Sequence, residues 1–423
     1  MSQYRAYPAY KDSGIEWIGQ VPEHWKVARV KRLASLRNER RNDVSTDTIY
    51  IGLEDVEAGS GQYKPTNGSS RQSEDSTVGI FYEGDVLYGK LRPYLRKAII
   101  SEMAGCCSTE FLVLRAEKTE PRWLQEWLLT PDVTHQIESG CEGAKMPRAD
   151  WGHIGSIEVV YPDQPEQAKI LTSLDRETAR IDALIEKKTR FIELLKEKRQ
   201  ALITHAVTKG LDRNAKMKDS GIEWIGQVPE HWKVARVKRL ASLRNERRND
   251  VSTDTIYIGL EDVEAGSGQY KPTNGSSRQS EDSTVGIFYE GDVLYGKLRP
   301  YLRKAIISEM AGCCSTEFLV LRAEKTEPRW LQEWLLTPDV THQIESGCEG
   351  AKMPRADWGH IGSIEVVYPD QPEQAKILTS LDRETARIDA LMDKAKQSIT
   401  LLKERRAAFI TAAVTGQIDL RGK

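Results

Sequence analysis

The sequence predicts two copies of a mixed α/β (α+β) domain, each followed by a long helix, the two helices pairing antiparallel as a coiled coil. Three observations predict it. Residues 11–184 recur unchanged as residues 218–391, 174 positions at a constant offset of 207. A repeat of that length is a whole domain rather than a solenoid unit. Within each copy, short β-branched and aromatic runs give way to a stretch of helical period. Beyond each copy, residues 185–212 and 392–419 still align at the same offset but match at only 14 of 28 positions. The changes there keep character: Leu202 is Phe409, Lys198 is Arg405 and Glu186 is Asp393. Two related halves had therefore drifted apart before an identical block was copied over one of them. The crossover falls near Leu184 and Leu391, inside the helix.

Each element has its own signal. Strands are expected at 48–53, 80–82, 86–88, 98–101, 111–114 and 157–161, with turn-prone Gly, Ser, Asn and Pro filling 59–73. A helix is expected at 121–129, where Trp123, Leu124, Trp127 and Leu128 fall on one face. Pro165 and Glu166 open a much longer one. Alternating steps of three and four place Ile170, Leu174, Ile181, Leu184, Phe191, Leu195 and Leu202 on one seam. The second copy places Ile377, Leu381, Ile388, Leu391, Leu402 and Phe409 likewise, with Glu177, Lys188 and Lys198 as polar interruptions in the first. Gly210 and Gly416 lie just past the ends. A helix of about 40 residues rises on the order of 60 Å and cannot hide its seam on one small domain. Antiparallel pairing of the two would give a pseudo-twofold dumbbell. The expected boundaries are a first domain at 1–163, its helix at 164–210, a second domain at 211–370 and its helix and tail at 371–423.

Composition excludes several classes. The formal net charge of −2 over 423 residues rules out a bulk polycation, so nucleic-acid contact has to come from local patches. No apolar run approaches the roughly 20 residues of a membrane span, and the first 14 residues lack the apolar core of a signal peptide. The six cysteines (Cys106, Cys107, Cys141, Cys313, Cys314, Cys348) form no C-x-x-C pair, which points to reduced thiols in a cytoplasmic protein.

Two basic clusters stand out. Between Lys26 and Asn42 lie Lys26, Arg29, Lys31, Arg32, Arg37, Arg40 and Arg41 against one acid, Glu39. The segment from Tyr88 to Lys97 holds Lys90, Arg92, Arg96 and Lys97 with Tyr88 and Tyr94 and no acid. A weaker third, Gly143 to Arg148, carries Lys145 and Arg148. Lys and Arg neutralise phosphates, Arg grips a guanine edge through two hydrogen bonds, and Tyr packs on sugar or base. Charge runs usually form solvated faces; repeated basic and aromatic segments inside a neutral chain favour binding. The candidates are Arg37, Arg40, Arg41, Lys90, Arg92, Tyr94, Arg96, Lys97, Lys145 and Arg148. The second copy supplies Arg244, Arg247, Arg248, Lys297, Arg299, Tyr301, Arg303, Lys304, Lys352 and Arg355.

Enzyme signatures are missing. There is no G-x-x-x-x-G-K-[ST], G-x-S-x-G or H-E-x-x-H pattern. A nuclease-like match of Asp163 with Glu186 and Lys188 puts the partners some ~30 Å apart along a helix, and the second half breaks it with Ala395. His24, His135, His153 and His205 are scattered, and His205 becomes Ala412. Neither catalytic residues nor metal ligands are expected.

The run Lys11-Asp-Ser-Gly-Ile-Glu-Trp-Ile-Gly-Gln-Val-Pro-Glu-His-Trp25 resembles the opening of target-recognition domains in specificity subunits of type I restriction–modification systems. So do Gly84-Asp-Val-Leu-Tyr-Gly-Lys-Leu-Arg-Pro-Tyr-Leu95, Pro165-Glu-Gln167 and the terminal run Leu402 to Gly416. The resemblance spans essentially the whole chain. It implies a non-catalytic subunit that reads double-stranded DNA through two domains, one per half of a bipartite site. The paired helices act as ruler and docking surface for two methyltransferase (modification) subunits. S-adenosylmethionine, ATP and Mg are then expected on partner subunits, restriction and translocase subunits among them where the host has them, and none on this chain. A bacterial or archaeal cytoplasmic location follows. Members of the family normally carry two different recognition domains. Identical ones on an antiparallel ruler should read one half-site in inverted orientation, a palindromic, interrupted target. The ruler length permits half-sites separated by roughly one turn of DNA, about 34 Å, and the sequence does not fix the spacer. A self-contained DNA methyltransferase or nuclease, and a coiled-coil protein that never touches DNA, stay open as alternatives.

Overall fold

The structure, a computed structural model, describes residues 5–45, 47–66, 76–141, 143, 145–212, 214–252, 254–273, 283–348, 350 and 352–422. The turn-rich stretch expected at 59–73 is described as far as residue 66, and its remainder lies outside the described residues.

The first domain runs β1 (Tyr10–Asp12), β2 (Gln20–Pro22), β3 (Lys26–Arg29), β4 (Ala34–Leu36), β5 (Arg40–Arg41), β6 (Tyr50–Ile51), β7 (Val78–Phe81), β8 (Val86–Gly89), β9 (Ala98–Ile100), β10 (Gly105–Cys107) and β11 (Phe111–Ala116). Helices α1 (Pro121–Leu128), α2 (Pro131–Ser139) and α3 (Trp151–Ser156) follow, then β12 (Glu158–Tyr161) and the long α4 (Gln164–Lys209). The second domain repeats this order, with α5 (Pro328–Leu335), α6 (Pro338–Ser346) and α7 (Trp358–Ser363), and leads into α8 (Gln371–Val414). The expected strand at 48–53 keeps only Tyr50–Ile51. The buried Asp55 carboxylate accepts the Gly52 and Thr66 amides (2.8 and 2.9 Å) and bends the chain into a one-turn helix.

Two four-stranded sheets build the domain, in the orders β4-β11-β8-β9 and β5-β7-β10-β6, the pair β10·β6 being parallel. β8 is buried on both faces. Val86 and Tyr88 join a core with Trp127, Leu128 and Ile137 of α1 and α2, while Leu87 joins Phe81, Ile99 and Val113 between the sheets. Alternation of side chains along one strand thus serves two cores. Cys106 and Cys107 lie buried on β10, and burial pushes the Cys107 thiol up to about 12, so it stays protonated.

The chain forms two compact units, 1–188 with 397–423, and 189–396. Each unit therefore holds one domain, the first part of the helix after it, and the last part of the other long helix. In the first unit Trp25, Trp123 and Val160 pack with Leu174 of α4 and Phe409 and Ile410 of α8. In the second, Trp232, Trp330 and Val367 pack with Ile203 and Val207 of α4 and Leu381 of α8. The helix segments run antiparallel inside each unit. Asp182 pairs with Arg406 (3.0 Å) in one and Asp389 with Arg199 (3.2 Å) in the other.

The start and stop signals match: the Asp163 side chain accepts the Glu166 amide (2.9 Å), and Gly210 and Gly416 take positive φ past the ends. Three apolar seam positions differ. Leu184, Phe191 and Leu391 are 47%, 44% and 46% exposed. The step after Leu174 is four residues, to buried Thr178, so the inward positions continue as Ile181, Ile185, Lys188, Ile192, Leu195, Arg199 and Leu202. Two successive four-residue steps shift the phase by one residue, the stutter that lets an undistorted 3.6-residue helix keep its seam. Ile170, Leu174, Ile181, Leu195, Ile377, Leu381, Ile388 and Phe409 are buried, and Leu202 and Leu402 half-buried.

Candidate nucleic-acid interface

The segment leaving β8 cannot continue as a strand, because Pro93 fixes its own φ and carries no amide hydrogen. It forms a single 3-10 turn, Pro93–Leu95, flanked by two arginines in the left-handed region, Arg92 (φ 52) and Arg96 (φ 49). Such residues cost about 1–3 kcal/mol each and persist only where neighbours over-determine them. The neighbours come from the third candidate segment. The Arg92 amide donates to Pro147 O (2.8 Å), the Ala149 amide donates to Lys90 O (2.8 Å), and Leu91 and Arg148 form an antiparallel bridge. Two stretches some 50 residues apart in sequence become one woven surface. Arg299 and Arg303 repeat it at φ 53 and 48.

The candidates then divide by what each side chain touches. Arg92, Tyr94 and Lys145 project into solvent beside exposed Met146, and Arg92 and Lys145 make no ion pair among the described residues. Arg299, Tyr301 and Lys352 are placed alike, and Lys90 and Lys297 are half-buried beside them. Arg148 shares its guanidinium with Glu110 (3.2 and 3.3 Å), as Arg355 does with Glu317. Lys97 and Lys304 are turned inward and donate to Leu53 O and Leu260 O (2.6 and 2.7 Å). Arg96 and Arg303 face the long helices: Arg96 lines a cleft with Lys403 and Arg406, and Arg303 donates to the Gln200 side chain (3.3 Å).

The first cluster is split. Arg37 grips the buried Asp85 carboxylate (2.8 and 3.2 Å) and stacks over Tyr82 at 4.6 Å; Arg244 does the same with Asp292 and Tyr289. These bonds hold the Arg37 guanidinium above even its usual high value. Arg40 and Arg41 stand exposed on the edge strand β5, as do Arg247 and Arg248 at the equivalent edge. Arg41 reaches Glu39 (3.0 Å), whereas Arg248 reaches Asp250 (3.1 Å), although the local sequence is the same. Paired surface charges that choose different partners hold neither strongly.

Spacing alone did not reveal Asp85, Glu110 or the buried Glu126. Asp85 had a signal, since an acid next to a glycine turn and before a buried strand has to find a cation. Glu126 had Arg122 one helical turn earlier; the two pair at 2.5 Å with Glu126 almost wholly buried.

Each compact unit thus presents a woven cationic loop on a sheet-rich domain seated on antiparallel helix segments. No protein-family model matches the chain. It is similar to the type I restriction enzyme EcoDI specificity subunit of Escherichia coli, with 22% identity over 346 residues, 78% of this chain and 74% of that protein. Among solved structures, a chain from a type I restriction–modification system, determined for its complex assembly and conformational transition, gives a TM-score of 0.63. It is 18% identical and is covered over 99% of its length, against 95% of this chain. The HsdS subunit from Thermoanaerobacter tengcongensis gives 0.51 at 17% identity, with 95% of this chain and 98% of that one covered. In sequence and in fold the chain resembles the specificity subunits of type I restriction–modification systems.

Proposed function

We propose that this chain is the DNA-recognition subunit of a type I restriction–modification complex, without catalysis of its own. It reads a bipartite site with its two identical domains and docks methyltransferase subunits on its helices. The observation that carries the reading is the duplicated woven loop on domains seated at antiparallel helix segments, in a chain similar to a specificity subunit over most of its length. In this reading the two identical domains take the same half-site in inverted orientation, so the target is a palindrome interrupted by a spacer. Arg92, Tyr94 and Lys145 with Arg299, Tyr301 and Lys352 are its first contacts, and Arg40 and Arg247 a second set. Arg37, Arg96 and Lys97 act by shaping the surface. Domains at 1–163 and 211–370 and helices at 164–210 and 371–423 divide this labour.

Docking falls to the outward faces of the helices. Leu184 and Leu401 are exposed in the first unit, and their offset equivalents Leu391 and Leu194 in the second. S-adenosylmethionine, ATP and Mg belong to the partner subunits in this reading.

Methylation mapping of a complex reconstituted with its methyltransferase subunits tests it. One inverted repeat around a fixed spacer is expected; two unrelated half-sites would overturn the palindrome. The purified chain alone, given DNA, S-adenosylmethionine and Mg, should neither methylate nor cut, and partner-free activity would favour a self-contained enzyme. Arg92→Ala with Arg299→Ala should weaken binding and flatten its salt dependence by about two counterions. Salt-independent binding would favour a coiled-coil protein that does not use DNA.

A further inference from the structure

Arg148 differs from Arg92 and Lys145 of the same woven loop in how its side chain is held. Its backbone bridges Leu91, and the Ala149 amide after it donates to Lys90 O (2.8 Å). The Lys90 amide in turn donates to Glu110 O (2.9 Å), and the Glu110 amide donates to Ser108 Oγ (3.2 Å). Arg148 and Glu110 are thus tied on either side of one residue, Lys90, just past the end of β8. The second copy repeats these links, with Lys297 between Glu317 and Arg355.

The carboxylate takes one particular edge of the guanidinium. Arg148 Nε donates to Glu110 Oε2 (3.2 Å) and Nη2 to Oε1 (3.3 Å); the same atoms of Arg355 and Glu317 meet at 3.2 and 3.4 Å. A guanidinium carries five N–H donors in a planar fork. The pair occupies the side edge and leaves the end edge, one N–H each from Nη1 and Nη2, without a partner among the described residues. Two parallel donors of that kind match O6 and N7 of guanine in the major groove. The Arg148 side chain is 52% exposed, in the same segment as exposed Lys145 and Met146.

An exposed ion pair adds little stability. This one nevertheless recurs in both copies, whereas Arg41 and Arg248 take different partners. What the pair supplies is order. A free arginine has to lose rotamer freedom to set its fork on a base, and Arg148 has lost it already. The pair is also neutral as a whole, which makes it a poorer phosphate clamp than Arg92 or Lys145 and suits it to a base edge.

We propose that Arg148 and Arg355 each read a guanine in their half-site, and that Glu110 and Glu317 are positioning residues that aim them. The proposal rests on the DNA-recognition reading above.

The test uses the full chain in a reconstituted methyltransferase complex and DNA carrying every single base-pair change in both half-sites. In the unaltered complex, replacing one particular G·C pair per half-site by A·T should lower methylation about tenfold. A 7-deazaguanine there, which lacks the N7 acceptor, should lower it several-fold. Arg148→Ala with Arg355→Ala should abolish both penalties at that pair and keep the preferences elsewhere. Arg148→Lys with Arg355→Lys should restore part of the discrimination. Glu110→Gln with Glu317→Gln keeps the shape but turns one acceptor into a donor. It should reduce the guanine preference about threefold and change nothing further when the arginines are alanine. A glutamine variant with the unaltered profile overturns the aiming role of Glu110. Alanine variants that lose methylation equally at every sequence make Arg148 a phosphate contact, and an unchanged profile makes it a surface ion pair; either result overturns the proposal. So does a mapped half-site without a G·C pair, and in these cases the recognition reading stands. A wild-type complex without any sequence preference overturns that reading itself.

Discussion

Residues 11–184 and 218–391 are the same string, yet the two units are closed differently. Their interiors agree strand for strand, in register, and in the left-handed arginines. Their seats do not agree. In the first unit Glu166 accepts from Tyr7 Oη (3.1 Å) and Trp25 Nε1 (3.2 Å), lies 2.7 Å from His24, and has Arg421 at 3.8 Å. Residues before and after the repeat supply this cover: Arg5 and Asp419 form an antiparallel bridge, and Arg421 stacks over Tyr7 at 4.7 Å. In the second unit, among the described residues, the Glu373 side chain keeps only His231 (2.7 Å) and Trp232 (3.1 Å), and it is 31% exposed against 10%. Local sequence determines the domain's interior. Flanking chain determines how the domain is fastened.

The largest expected effect tests what the two units share. Trp25 and Trp232 are wholly buried, and Trp25→Ala or Trp232→Ala should each cost about 3–5 kcal/mol by denaturant unfolding. Both rings pack edge-on against a second tryptophan at 5.7 Å, but only Trp25 also meets Tyr7, at 5.9 Å. The first unit should therefore lose about 0.5–1.5 kcal/mol more; equal losses would mean that the tyrosine adds nothing. Next in size, Glu166→Gln should cost about 2–3 kcal/mol, because it disrupts several hydrogen bonds to a buried charge. Glu373→Gln should cost about half of that.

A smaller effect depends on pH. Hydrogen bonds from Arg421 hold the Asp419 carboxyl below the usual carboxylate range. A depressed carboxylate adds stability that is fully present above its unfolded value and is lost as pH falls through the folded one. Protection of the Asp419 amide, which donates to Arg5 O, should fade below about pH 4. Protection that persists well into acid would show that Arg5 and Tyr7 hold the tail without it.

Much of this architecture was legible in the chain because each signal was local. β-branched runs, Pro165 with Asp163, and the glycines after each helix act on their own neighbourhoods. The seam phase was not legible: stepping by threes and fours from Ile170 selects Leu184, and only packing reveals the shift through Thr178. Nor was the division among the cations, since Arg37 and Arg92 look alike until Asp85 arrives from 48 residues away. The weaving of 90–97 with 145–149 is also non-local, and no pattern within either segment encodes it.

The smallest expected effect is the finest test of the comparison. Arg303 and Arg96 occupy identical loops, but the helix residue opposite Arg303 is Gln200 and its equivalent in the first unit is Ala407. The bond from Arg303 is long at 3.3 Å and half-exposed, so Gln200→Ala should cost about 0.5–1 kcal/mol at most. Its local consequence is sharper than its stability cost, because the Gly266 amide donates to Arg303 O (3.0 Å) just as Gly59 donates to Arg96 O (2.9 Å). Gln200→Ala should speed hydrogen exchange at Gly266 toward the rate of Gly59 and leave Gly59 unchanged. Ala407→Gln should slow Gly59 in turn, at a helix-propensity cost of a few tenths of a kcal/mol or about that. Equal exchange at Gly59 and Gly266 in the unaltered protein would mean that the diverged helix face does not reach the loop, and that the seats differ only at Glu166 and Glu373.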